Sequence, residues 1–401
     1  MTDTGTTEEA RLRARMWPLY AAGFTTAFGA HGVAANLGGF TADRHQSLLV
    51  LGGLLALYDG AEVLLKPVFG TLADRIGAKA VLLGGLIAFA AASTLFALSD
   101  NPGLLWAARL GQGAAASAFS PAASALVARL NPAAKHGRAF GSYGFYKSLG
   151  YTAGPLLGGA LAAVGGLRLV FTVMAVLAAA VAAWAAVSVP YVAPLPKTRQ
   201  TVLDLARRLA DGGFWRPTLA LACATGALSV GVGFLPVLGH RAGLGPVVTG
   251  AAVSVLALCA AIVQPRVGRA LDAGQIGATA GLAAGMLLAA GGLAAALVPG
   301  VVGLLVSAVA IGAGTGVITP LGFAALAAAT PTERLGQTMG AAELGRELGD
   351  AGGPLIVGGV AVAATLGAGF LTLAALTALA TLAVRRGSDR TAPVPTPSDR
   401  A

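Results

Sequence analysis

The feature that most limits this chain is its run of apolar blocks, each about 20 residues long, parted by short clusters of charge, proline and asparagine. A block of that length crosses the ~30 Å hydrocarbon core as a helix. Within lipid the backbone must satisfy its own hydrogen bonds, which leaves only helices and closed barrels. The period-2 alternation of barrel strands is absent, so the expected fold class is an all-α membrane protein. Composition agrees. Only 11% of residues are charged and 56% are hydrophobic, against roughly 25% charged in a soluble domain. The 58 glycines would weaken soluble helices, yet small residues let membrane helices approach closely.

The blocks resolve into twelve expected transmembrane helices: 17–39, 47–69, 78–98, 103–128, 138–162, 168–189, 216–239, 247–267, 276–298, 301–326, 338–361 and 364–384. One face receives Arg11, Arg13 and Arg15, then Arg75 and Lys79, then Arg129, Lys135 and Arg138. The same face receives Lys197, Arg199, Arg207 and Arg208, then Arg266, Arg269, Arg334, Arg385 and Arg386. Cationic loops stay in the cytoplasm, so both termini are expected inside a cell (inner or plasma) membrane. The net charge of +10 thus reflects topology, and no nucleic-acid partner is expected. The polar and basic N-terminus leads into a full-length span, so no cleaved signal peptide is expected. Cys223 and Cys259 lie inside apolar blocks and read as packing residues.

The expected organisation is an N-terminal six-helix half (1–189), a linker (190–215), a C-terminal six-helix half (216–386) and a disordered tail (387–401). The linker opens with Pro190, Pro194 and Pro196, and Thr201 to Leu209 then reads as a short basic amphipathic helix on the membrane surface. The halves match at an offset of 198 to 200 residues. Pro67-x-x-Gly70-x-x-x-Asp74 recurs as Pro265-x-x-Gly268-x-x-x-Asp272. Gly113 and Pro121 recur as Gly312 and Pro320, while Lys147 and Gly154-Pro155 recur as Arg346 and Gly353-Pro354. Such repeats build secondary transporters, with the substrate site between the halves.

Gly70-Thr71-Leu72-Ala73-Asp74-Arg75-Ile76-Gly77-Ala78-Lys79, the span-4 segment with Arg109, Gln112 and Gly113, and Gly141-x8-Gly150-x3-Gly154-Pro155-x2-Gly158-Gly159 together resemble the major facilitator superfamily. Within it they resemble the twelve-span drug:proton antiporters. The first segment departs from the family pattern at Ala78, where a basic residue is usual. The resemblance implies two pseudo-symmetric halves, and that Gly70, Gly77, Gly150, Gly154, Pro155 and Gly158 serve conformational change. It also implies that contacts of Asp74 stabilise one conformer, with Arg129 and the start of span 11 as partners.

Ionisable residues deep in spans carry the chemistry, because each costs at least ~2.5 kcal/mol against lipid at the bilayer centre. Asp59, Glu62 and Lys66 share one face of span 2, while Glu343, Arg346, Glu347 and Asp350 share one face of span 11. In the resembled fold these spans face each other. The expected inter-half pairs are Lys66–Glu343 and Glu62–Arg346. Asp59, Glu62, Glu343, Glu347 and Asp350, with Arg109 in span 4, are the candidates for proton coupling and gating. Lys147, with Tyr143, Tyr146 and Tyr151 around it, is the candidate substrate contact, joined by His31 and Asn36 in span 1, although a lone membrane histidine is more often a hydrogen-bonded packing residue.

The sequence contains no phosphate-binding glycine loop, zinc-type His/Glu spacing or nucleophile elbow. An enzyme is therefore not expected, and no metal or cofactor is. An ion gradient, with H⁺ as the expected ion, would drive a monomer in the lipid bilayer that moves a small-molecule substrate. Proton-coupled drug export is the leading expectation. A carrier of a charged metabolite or anion, using Lys147 and Arg346, is the alternative.

Overall fold

The computed structural model describes residues 14–30, 32–33, 48–98, 102–194 and 210–385. His31, Asn36, the linker segment 201–209 and the tail 387–401 fall outside them. The described residues form helices and turns with no strand. Helix α1 covers 14–30, followed by α2 (Leu48–Ile76), α3 (Ala78–Ala97) and α4 (Pro102–Leu130). A helical segment, His136–Ser188, then folds back on itself at Gly165 (φ −142°, ψ 21°) and Gly166 (φ 65°, ψ −172°). Its two arms, 136–164 and 167–188, are named α5 and α6. The positive φ at Gly166 suits only glycine, and Arg168 beyond it donates to the Ala97 carbonyl at 2.7 Å. The remaining helices are α7 (Gly212–Arg241), α8 (Pro246–Asp272), α9 (Ala278–Ala295), α10 (Gly300–Ala328), α11 (Leu335–Ala363) and α12 (Leu366–Arg385).

Seven helical segments among the described residues are long and apolar enough to cross a membrane, the segment containing α5 and α6 counting as one of them. Large apolar side chains remain exposed along the helices of the bundle, including Leu64, Leu156, Val187, Leu355 and Val362. An outward-facing apolar surface is what a chain dissolved in lipid requires. This is a multi-pass membrane protein.

Two long seams organise the bundle: α2 packs along α11, and α5 packs along α8. Each closes at the end of the bundle that carries Arg75, Arg138, Arg269 and Arg334, called here the basic end. Both closures are glycine contacts with no room for a side chain. A Cβ on Gly70 would strike the Gly336 carbonyl, and one on Gly268 would strike the Gly137 carbonyl. Helix α2 also runs further than the apolar block suggests. Asp74 lies in its last turn, not in a loop beyond it, where its carboxylate meets the start of α11.

Candidate transport site

Asp74 bridges the first seam. Its two carboxylate oxygens accept the backbone N–H groups of Gly336 at 2.8 Å and Gln337 at 2.7 Å, at the start of α11. Those N–H groups have no partner within the helix, and a carboxylate there also meets the positive end of the helix dipole. Asp272 does the same across the second seam, accepting from Gly137 at 2.8 Å and Arg138 at 2.7 Å at the start of α5. Arg129, expected as an Asp74 partner, instead donates to the Ala193 carbonyl at 3.3 Å. The segment after α6 folds back over the basic end and supplies that acceptor.

One level deeper, α2 and α11 hold a cluster of charges. The Lys66 side chain is 1% accessible, with its Nζ 2.7 Å from Glu62, 2.5 Å from Glu347 and 3.8 Å from Glu343. Glu343 is as deeply buried. It also receives Lys147 of α5 at 3.4 Å and Arg346, one turn along its own helix, at 3.2 Å. Lys147 further reaches the Ser120 hydroxyl of α4 at 3.4 Å. Three cations thus face three carboxylates with every charge paired, as burial in a low dielectric demands.

Of the two expected pairs, Lys66–Glu343 is present at 3.8 Å, with Glu347 the nearer α11 partner of Lys66 at 2.5 Å; the second pair is corrected. Glu62 does not meet Arg346, because Lys66 occupies Glu62 and Glu343 occupies Arg346. Counting depth along two helices does not separate positions four residues apart when a lysine is long enough to span a turn.

Above the cluster, away from the basic end, Asp59 and Asp350 are exposed and lie within electrostatic reach of each other. Arg109 of α4 is 1% exposed and lies over the Tyr58 ring at 4.2 Å, within reach of Asp59. It also contacts Gln112, which donates to Ser93 of α3 at 2.8 Å. Mid-span, the five acids Asp59, Glu62, Glu343, Glu347 and Asp350 therefore face four bases: Lys66, Arg109, Lys147 and Arg346. One carboxylate is in surplus.

Of the three tyrosines, Tyr143, one turn before Lys147, lies within electrostatic reach of it, buried beneath Gly23 of α1. Tyr151 faces Arg346 and Glu347. Tyr146 leaves the cluster altogether, stacking on Tyr20 at 5.0 Å beside Trp17 near the basic end. Adjacent residues on a helix point about 100° apart, so Tyr146, next to Lys147 in sequence, points away from it. Of the glycine motif, Gly150 lies against Phe24 and Ala27 of α1, and Gly154 touches Gly32. Gly77 makes the turn from α2 to α3 at φ 102°. Gly158 is buried, and α5 stays helical through Pro155.

The sequence model of one family, described as "Major Facilitator Superfamily", matches residues 19–277 and 219–401. The chain belongs to the Major Facilitator Superfamily. Quinolone resistance protein NorA of Staphylococcus aureus is 32% identical over 114 residues, which is 28% of this chain and 29% of NorA. An uncharacterized MFS-type transporter of Mycobacterium tuberculosis, Rv1250, is 42% identical over 94 residues, 23% of this chain and 16% of that protein. The chain therefore matches less than a third of these relatives' length. Among solved structures, FucP in the outward conformation aligns with TM-score 0.79 at 16% identity, over 92% of this chain and 98% of FucP. The human organic anion transporter MFSD10 aligns with TM-score 0.73 at 20% identity, over 93% and 99%. At these identities the structures share the superfamily fold.

Sequence reasoning passed over Asp272 and Gln264 as site residues of this superfamily member. The signal was in the repeat: Asp272 follows the Asp74 pattern, and Gln264 stands where Lys66 stands, one residue before the repeated proline. Gln264 is 2% exposed and donates to Ser148 of α5 at 2.8 Å, a neutral counterpart of the Lys66–Glu347 pair.

Proposed function

We propose that this chain is a secondary active transporter of twelve spans in two six-helix halves, exporting a small organic compound in exchange for protons by alternating access. The observation that carries this reading is Lys66, buried between Glu62 of α2 and Glu347 of α11. While both acids are ionised, the shared cation ties the two helices together and keeps the basic end shut. Protonation of Glu347, the acid across the seam, removes that tie, so proton binding and opening are linked. The excess of lysine and arginine at that end argues that it faces the cytoplasm of a cell membrane, with both termini inside. A closed basic end is then the outward-facing state. No nucleotide or other cofactor enters the scheme; the gradient supplies the work.

Exposure bears on substrate class. Asp59 and Asp350 are exposed and the Glu347 side chain is 25% accessible, whereas the side chains of Lys66 and Lys147 are 1% and 8% accessible. An entering compound meets carboxylates before it meets any cation, and one carboxylate is in surplus. This favours neutral or cationic compounds, and the partial likeness to a quinolone resistance protein supports drug export. The anion-carrier alternative loses support, since an anion must first displace Glu343 from both Lys147 and Arg346.

The test is transport in proteoliposomes with an imposed pH gradient, following internal pH as a panel of cationic, neutral and anionic compounds is added. A cationic or neutral compound is expected to move protons against its own flux, and Glu347→Gln is expected to abolish this. Response to anionic compounds alone, without proton movement and with loss in Lys147→Gln, overturns the export reading.

A further inference from the structure

A cavity of about 520 Å³ opens at the basic end between α1, α5 and α8, separate from the ion cluster. Lys135, Arg138 and Arg269 contribute to its wall, and among the described residues no carboxylate does. The opposite wall is aromatic. Trp17 packs edge-on to Tyr20 at 5.9 Å and to Tyr146 at 5.3 Å, and the two tyrosines stack at 5.0 Å. Trp17 remains 44% exposed. The volume is that of a small-ligand site.

We propose that this cavity binds a phosphate-bearing anion, and that the aromatic wall selects the headgroup of an anionic phospholipid. Trp and Tyr gather at the headgroup level of membranes, and basic pockets between helices on the cytoplasmic side recognise anionic headgroups. The cations come from two elements: Lys135 and Arg138 from the start of α5, and Arg269 from the last turn of α8. The two groups repel across the α5–α8 seam. Asp272 offers a carboxylate nearby, but its oxygens are held by the Gly137 and Arg138 backbone N–H groups. A bound phosphate offsets the repulsion and bridges the seam, so the ligand stabilises the closed basic end and favours the outward-facing state.

The probes are phosphatidylglycerol, phosphatidylcholine and inorganic phosphate, added in turn to the purified full chain in neutral detergent. The readouts are the apparent Tm and the lipid retained in native mass spectrometry. Phosphatidylglycerol is expected to raise the Tm and be retained, and phosphatidylcholine to do neither. The Arg138→Gln/Arg269→Gln pair is expected to weaken half-saturation about thirtyfold, from roughly 1 kcal/mol per cation. Arg269→Lys keeps the charge and is expected to keep the shift. Arg266→Gln removes an α8 cation outside the cavity and is expected to change nothing. Stabilisation by inorganic phosphate as well supports the site and assigns its ligand to solution. No shift with either anion, or an equal loss in Arg266→Gln, overturns the proposal.

Discussion

A lysine with 1% of its side chain accessible persists within a membrane span only because Glu62, Glu343 and Glu347 surround it. Removing it leaves those three carboxylates facing Lys147 and Arg346 alone, one negative charge in excess. Lys66→Met is therefore expected to lose stability by about 3–5 kcal/mol, the range for breaking a buried pair from one side, seen as a lowered apparent Tm in detergent. Lys66→Met with Glu347→Met restores two cations against two acids and is expected to recover most of the loss. Equal Tm values for the parent and Lys66→Met would mean that the cluster adds nothing to stability. The membership of this cluster was legible in the sequence, since Glu62, Lys66, Glu343, Arg346 and Glu347 are costly in lipid and repeat on single helix faces. The nearest partner of Lys66 was not, because it depends on how far a flexible lysine climbs. Nor was the compensation of Lys147, whose acid comes from another helix.

At the scale of helices, the two seams are closed by the same device, a carboxylate at the end of one helix capping the start of another. Asp74→Ala and Asp272→Ala each remove two hydrogen bonds and a favourable dipole contact. Each is expected to cost about 1–2 kcal/mol. The loss should be local: hydrogen exchange is expected to rise at 336–339 for Asp74→Ala and at 137–140 for Asp272→Ala, with little change at the other seam. A rise at both sites from either variant would show the seams to be one cooperative unit. The repeated Pro-x-x-Gly-x-x-x-Asp pattern announced both positions, and the resemblance gave the start of span 11 for Asp74, but the helix start that Asp272 meets was not read from the sequence. The fold class was legible because lipid admits so few backbone solutions. The lengths of the helices were less so, as α2 continues past its apolar block for reasons that lie in α11.

Across the whole molecule, the seams match in backbone and differ in charge. Gly70 and Gly268 make equivalent backbone contacts, and Asp74 and Asp272 make equivalent caps. Between them, Lys66, Glu343 and Glu347 at the α2–α11 seam correspond by the repeat to Gln264, Gly144 and Ser148 at the α5–α8 seam. The groups facing Lys66 titrate: Glu62 on its own helix and Glu343 and Glu347 on α11, with Lys147 of α5 and Arg346 completing the set. The groups facing Gln264 do not, since it bonds the Ser148 hydroxyl and the Ala260 carbonyl. Carboxylates attract Lys66 only when ionised, so lowering the pH weakens the first seam and leaves the core of the second unchanged. Hydrogen exchange, corrected for the intrinsic effect of pH on exchange rate, is therefore expected to lose protection across 335–350 as pH falls, while 136–150 holds. Glu347→Gln is expected to flatten that response. If both seams loosen together and Glu347→Gln makes no difference, the pH response does not arise in the Lys66 cluster. In that case the buried cluster is a fixed strut, and the α2–α11 seam has no special part in opening the basic end.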